Sequence, residues 1–172
     1  MTQPLTLAEL HPQALRIATL LRERGEKIAV ADGATGGLIA AALLTVPGAL
    51  EFYRGGGIVY SFRARDVLFG LPREAFAGMV SATEEYALIQ AHAIRDNFGG
   101  QWGIAESGSA GSSKHPLGVA SGRSCAAVVG PDGFEHVRLT ATDSDDRIAN
   151  MQAFTRAALD LLEECLVMTA RH

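Results

Sequence analysis

The stretch Lys27-Ile28-Ala29-Val30-Ala31-Asp32-Gly33-Ala34-Thr35-Gly36-Gly37-Leu38-Ile39-Ala40-Ala41-Ala42-Leu43-Leu44 decides the fold. Lys27 to Ala31 is an apolar run that reads as a short buried strand, and Gly37 to Leu44 reads as an apolar helix. Between them Asp32 to Gly37 is a strand-to-helix turn, with three glycines in the five residues from Gly33 to Gly37. In α/β folds such turns lie outside the carboxyl ends of strands, where ligands bind. Glycine lets backbone approach a ligand closely, and the N–H groups opening a helix attract anions. Asp32 and Thr35 are the polar side chains of the turn.

Upstream, Leu10, Ala14, Ile17, Ala18 and Leu21 recur at helical spacing and predict a helix over residues 8–24, stopped by Gly25. Downstream, Arg54-Gly55-Gly56-Gly57 reads as a glycine-rich entry into a strand, Ile58 to Ser61. Arg65 to Gly70 suits a helical turn, and Pro72 can open another. Ser81-Ala82-Thr83-Glu84 has the capping-box pattern and starts a helix to about Asn97, ended by Gly99-Gly100. Gln101 to Ala105 reads as a strand. Glu106 to Pro116 reads as a long polar loop of the kind that carries function. Gly118 to Val129 and Phe134 to Leu139 read as antiparallel strands around the turn Gly130-Pro131-Asp132-Gly133. A last helix runs from about Asp146 to Val167, with Ile148, Met151, Phe154, Ala158, Leu161 and Leu162 on one face. Helices alternating with strands, closed by a hairpin, predict a three-layer α/β/α sandwich with a mixed sheet.

A chain of 172 residues with 48% hydrophobic and 20% charged residues suits one domain with a sizeable core. The net charge is −4 and no Lys/Arg cluster stands out, which argues against a nucleic-acid or anionic-membrane partner. Met1 to Leu10 lack a basic flank followed by an apolar run, and no apolar stretch reaches about 18 residues. The sequence thus predicts neither a secretory leader nor a membrane span. Cys125 and Cys165, far apart, suit reduced thiols and a cytoplasmic location.

Three segments together resemble one family. They are Ala31-Asp32-Gly33-Ala34-Thr35-Gly36-Gly37, then Arg54-Gly55-Gly56 to Tyr60-Ser61, then Ser107-Gly108-Ser109-Ala110-Gly111 with Pro116-Leu117-Gly118. The chain resembles the CinA C-terminal domain, the nicotinamide-nucleotide amidohydrolase family, over roughly residues 10–165, and is read as a single such domain over residues 1–172. That family's motifs read Ala-Glu-Ser-(Cys or Leu)-Thr-Gly-Gly, then Arg-Gly-Gly with Tyr-Ser-Asn-x-x-Lys, then (Thr or Ser)-Gly-x-Ala-Gly-Pro with Lys-Pro-Val-Gly. Asp146-Arg147 fits its late Gly-Asp-Arg signal. The resemblance implies hydrolysis of the carboxamide of nicotinamide mononucleotide to the nicotinate nucleotide and ammonia. It implies a serine nucleophile with a lysine as base, and no cofactor. A hydroxyl becomes a useful nucleophile when a base takes its proton, and a desolvated lysine can serve.

The chain departs at both positions. The family serine falls on Gly33, and the family lysine on Arg65, whose guanidinium stays protonated and cannot act as a base. Asp32 replaces a glutamate, Phe62 an asparagine and Ser112 a proline. The expectation is a catalytically degenerate relative that keeps a pocket for a pyridine nucleotide or similar small anion. Its ligand-binding residues are expected to be Asp32, Gly33, Thr35, Gly36, Gly37, Tyr60, Ser61, Arg65, Ser107 and Gly108. The alternative is an active amidohydrolase with a rearranged nucleophile, Thr35 or Ser107. Thr35 also suits a helix N-cap, and Ser107 a solvated loop. The bidentate fork of Arg65 suits a phosphate or carboxylate. Lys114 offers an amine in the third motif's loop, and His115 stands where the family has lysine. His11, His92, His115, His136 and His172 are scattered without ligand spacing, so no metal site is expected. Trp102 and Phe154 read as core. Assembly into homo-oligomers is expected on general grounds.

Overall fold

A computed structural model of the chain describes residues 4–170. The first helix, α1 (Leu7–Arg24), opens on a capping box. Thr6 Oγ1 accepts the Glu9 N–H at 3.3 Å, and Glu9 Oε2 accepts the Thr6 N–H at 2.7 Å. It closes on Gly25 at φ 64°, and its buried face is the five residues picked out by helical spacing. The deciding stretch forms β1 (Ile28–Asp32), buried throughout, and the short α2 (Leu38–Leu43).

The other elements are β2 (Tyr53–Ile58), α3 (Phe62–Phe69), α4 (Glu84–Phe98), β3 (Trp102–Ser109), β4 (Arg123–Val129), β5 (Glu135–Ala141) and α5 (Arg147–Met168). The sheet order is β2-β1-β3-β4-β5. β1 pairs in parallel with β2 and β3, while β4 runs antiparallel to both β3 and β5. Side chains of α1, α2 and α5 fill one apolar core against the sheet. Those of α3 and α4 fill the other. This is the three-layer α/β/α sandwich with a mixed sheet. Trp102 and Phe154 are both core, at 1% exposure, with Trp102 Nε1 donating to Glu26 Oε2 at 2.6 Å.

The chain corrects its sequence reading in several places, and β4 starts at Arg123 rather than at Gly118. The glycine run is the body of β2, not its entry, and the strand ends at Ile58. Gly56 stands opposite Val30, and a Cβ there would strike the Val30 carbonyl, so glycine is what allows this pairing. Glu106 to Ser109 belongs to β3 rather than to a loop, because pairing with β4 extends to Ser109↔Arg123. α4 is capped at Thr83, whose hydroxyl donates to the Val80 carbonyl at 2.6 Å instead of accepting a helix N–H, so no capping box forms. Ile148 is exposed in the first turn of α5, outside the apolar face assigned to it.

Candidate functional site

The carboxyl ends of β1 and β3, the start of α3 and one face of α4 enclose a cavity of about 420 Å³. Its floor is the turn after β1. Asp32, 1% exposed, ends that strand facing α2. Its Oδ1 accepts the Thr35 hydroxyl at 2.6 Å and the Ile39 N–H at 3.0 Å, and its Oδ2 accepts the Ala40 N–H at 3.1 Å. The donors that open α2 are therefore taken by the protein's own carboxylate. Burial raises the Asp32 carboxyl above the ordinary carboxylate range, and these hydrogen bonds oppose the shift.

Two further N–H groups of the turn are also taken. Glu106, on β3 and 1% exposed, accepts Gly33 N–H at 3.2 Å and Thr35 N–H at 2.9 Å through Oε2. Its Oε1 accepts the Ser124 hydroxyl at 2.6 Å. Burial raises its carboxyl as well, against these hydrogen bonds, and the neighbouring Asp32 charge adds to the rise. The same strand closes over Gly33. A Cβ built on Gly33 would sit well inside 3.0 Å of the Glu106 carbonyl oxygen, which is backbone and has no rotamer to yield. Gly33 is thus a close contact between β1 and β3.

Arg65 projects from α3 into the same cavity and is 8% exposed. Its guanidinium lies over the Phe76 ring at 4.1 Å and the Phe62 ring at 5.0 Å. Its Nη1 reaches Tyr86 Oη at a long 3.4 Å, and Asp66 Oδ1 stands 3.9 Å from Nε, which has no hydrogen-bond partner. So the charge is held by aromatic faces and its donors stay largely unspent. Lys114, His115 and Arg147 also line the cavity, and Arg147 Nη2 donates to Ser113 Oγ at 3.2 Å. Burial lowers the His115 imidazole below its ordinary value, favouring the neutral ring.

Of the residues singled out by sequence, Gly33, Tyr60, Ser61, Arg65, Ser107 and Gly108 meet in this cavity. Tyr60 is exposed at its mouth, and the Ser61 hydroxyl caps α3 by accepting the Ala64 N–H at 3.1 Å. Asp32, Thr35, Gly36 and Gly37 lie beneath it and do not line it. Gly36 faces Met151 and Gly37 faces Ile58. Thr35, fully buried, donates its hydroxyl to Asp32. Ser107 does reach the cavity, where its hydroxyl oxygen accepts the Ala82 N–H at 3.2 Å and, among the described residues, bonds to no basic side chain. Glu106 and Gln90 are among the cavity residues that the sequence did not mark as site candidates. Glu106 was hidden in an apparent loop. Gln90 was signalled only by a polar residue one turn after Tyr86 on a helix face otherwise rich in alanine.

An α/β/α domain with a ligand-sized cavity at the carboxyl ends of its parallel strands is the class that fold and site define. The CinA C-terminal domain model matches residues 11–166, and the chain belongs to that family. A CinA-like protein of Anaeromyxobacter sp. (strain K) is 32% identical over 154 residues, which is 87% of this chain and 36% of that protein. One from Parasynechococcus marenigrum (strain WH8102) is 32% identical over 155 residues, covering 88% of this chain and 36% of its own length. The chain thus spans about a third of these curated relatives. Among solved structures, a competence or damage-inducible protein from Enterobacter asburiae has a TM-score of 0.81 at 27% identity, covering 94% of this chain and 99% of that one. The competence/damage inducible protein CihA from Agrobacterium tumefaciens has a TM-score of 0.83 at 23% identity, covering 96% and 99%, and shares the fold.

Proposed function

We propose that this domain binds a pyridine mononucleotide, or a small anion of similar chemistry, in the cavity at Arg65 and does not hydrolyse it. One observation carries the reading: Gly33 stands where the resembled motif has its serine, and the Glu106 carbonyl fills the space a side chain would need. A hydroxyl nucleophile requires that side chain and a base beside it. Arg65, at the motif's lysine position, stays protonated and supports binding instead. Its guanidinium spends one long hydrogen bond on Tyr86 and otherwise suits a phosphate or carboxylate. Thr35 and Ser107 do not support a rearranged nucleophile. The first is buried under the cavity floor and the second has no base bonded to it.

The experiment pairs two measurements on one preparation. Calorimetry with nicotinamide mononucleotide is expected to give a binding isotherm. Ammonia release from the same mixture is expected to stay at the buffer rate. Turnover within about tenfold of a relative that retains serine and lysine would overturn the reading, since loss of a catalytic member costs several powers of ten. Absence of any heat or thermal shift at millimolar nucleotide would overturn the binding half.

A further inference from the structure

Two buried side chains in the cavity wall have hydrogen-bonding capacity that the protein does not use. Gln90, on α4, is 2% exposed and lines the cavity. Among the described residues, neither atom of its side-chain amide has a hydrogen-bond partner. The amide is not among the fully shielded polar atoms, so it opens onto the cavity, where water or a ligand can satisfy it. The second is Arg65, which lines the cavity and whose one hydrogen bond among the described residues is the long contact of Nη1 with Tyr86 Oη, while its shielded Nε faces Asp66. Tyr86, which Arg65 touches, lies one helical turn before Gln90 on the same face of α4, so the two unsatisfied groups belong to one wall.

The β3 wall has the opposite character. Glu106 Oε2 is filled by two backbone N–H groups, while Oε1 carries one hydroxyl and retains capacity for a further donor. Oε1 lies beside Gly108, where a Cβ would come within 2.9 Å of it, and both residues line the cavity. An anion at this wall would meet a buried acceptor, with the Gly33 and Thr35 N–H groups already taken by it.

We propose that the cavity selects a bipolar ligand: Arg65 and Gln90 together hold its anionic end, and Glu106 accepts a cationic or N–H-bearing end while rejecting a second anion. Gln90 and Glu106 are then specificity-determining residues, and the selection extends the binding reading above without requiring that the ligand be a nucleotide. A phosphate-bearing amine or carboxamide satisfies both walls, and a phosphate-bearing carboxylate satisfies one.

Two matched pairs of probes test this by calorimetry on the intact chain. One pair is nicotinamide and nicotinate mononucleotide, and the other is phosphoethanolamine and phosphoglycolate. The donor-ended member of each pair is expected to bind about tenfold more tightly, as an uncompensated buried charge costs at least that much. E106Q is expected to bring that ratio to within about threefold. Q90M is expected to weaken every phosphate-bearing probe about tenfold, with a thermal midpoint close to wild type, because the amide makes no hydrogen bond to the described residues. A merely structural Gln90 would lose stability and leave binding alone. Equal affinity within a pair, an E106Q ratio unchanged from wild type, or Q90M binding as wild type overturns the proposal, and so does failure of all four probes to bind. The ratio within the wild-type protein and the Q90M result stand even if E106Q does not fold. Preference within the small-molecule pair with no binding of either nucleotide removes the pyridine-nucleotide reading and leaves this selection intact.

Discussion

The backbone N–H of Thr35 donates to Glu106 Oε2 at 2.9 Å. This bond ties the turn after β1 to the neighbouring strand β3 and fills the place where a ligand's anion would meet the turn. Asp32 fills the other such place, at the start of α2. The cationic pole of the site therefore lies on α3, at Arg65, rather than at the glycine turn.

Gly33 is tested by filling its missing side chain. Gly33→Ala and Gly33→Ser are each expected to lose about 1–3 kcal/mol of stability by urea denaturation, the usual cost of overpacking against a wall that cannot yield. Gly33→Ser is also expected to release no ammonia from nicotinamide mononucleotide, even combined with Arg65→Lys. Wild-type stability in Gly33→Ala would mean that β3 gives way readily.

Asp32 holds the turn and does not line the cavity. Asp32→Ala strips the Thr35 hydroxyl and two N–H groups of α2 of their acceptor, so a loss of about 2–4 kcal/mol is expected. Ligand affinity measured below the unfolding transition is expected to stay within about threefold of wild type. A large loss of affinity in a stably folded Asp32→Asn protein would assign that carboxylate to binding.

Arg65→Lys keeps the charge and loses the fork, and it exchanges a flat cation held between Phe62 and Phe76 for a compact one. Anion binding by calorimetry is expected to weaken about tenfold. Unchanged affinity would show that charge alone suffices at this position.

The pH dependence has a defined sign. Burial raises the Glu106 and Asp32 carboxyls, so the folded state holds protons that the unfolded chain has released. Their contribution to stability is complete below the ordinary carboxylate range, near about 4 to 4.5, and is lost as pH rises through the raised folded values. The thermal midpoint of E106Q minus that of wild type is therefore expected to grow as pH rises across this window. A constant difference would mean that Glu106 is not raised.

Much of this was legible in the sequence because it rests on local pattern. The face of α1, the buried β1 and the hairpin of β4 and β5 follow from periodicity and turn residues. The site divided differently. Arg65, Ser107 and Gly33 were found through motif positions, whereas Glu106 and Gln90 were not. Their role depends on pairing and packing between elements far apart in the chain, as when register with β4 turns an apparent loop into the end of β3. Likewise, Gly33 reads from sequence as a missing hydroxyl, and only the approach of β3 shows that no room exists for one.

Binding without hydrolysis is tested most directly by following a near-stoichiometric mixture of the protein and nicotinamide mononucleotide by proton NMR over a day. The expected result is broadened or shifted pyridine resonances from the first spectrum, reversed by Arg65→Ala, with no nicotinate mononucleotide signal above that in buffer. Nicotinate resonances that grow in proportion to protein would contradict it, as would pyridine lines left as sharp as in buffer.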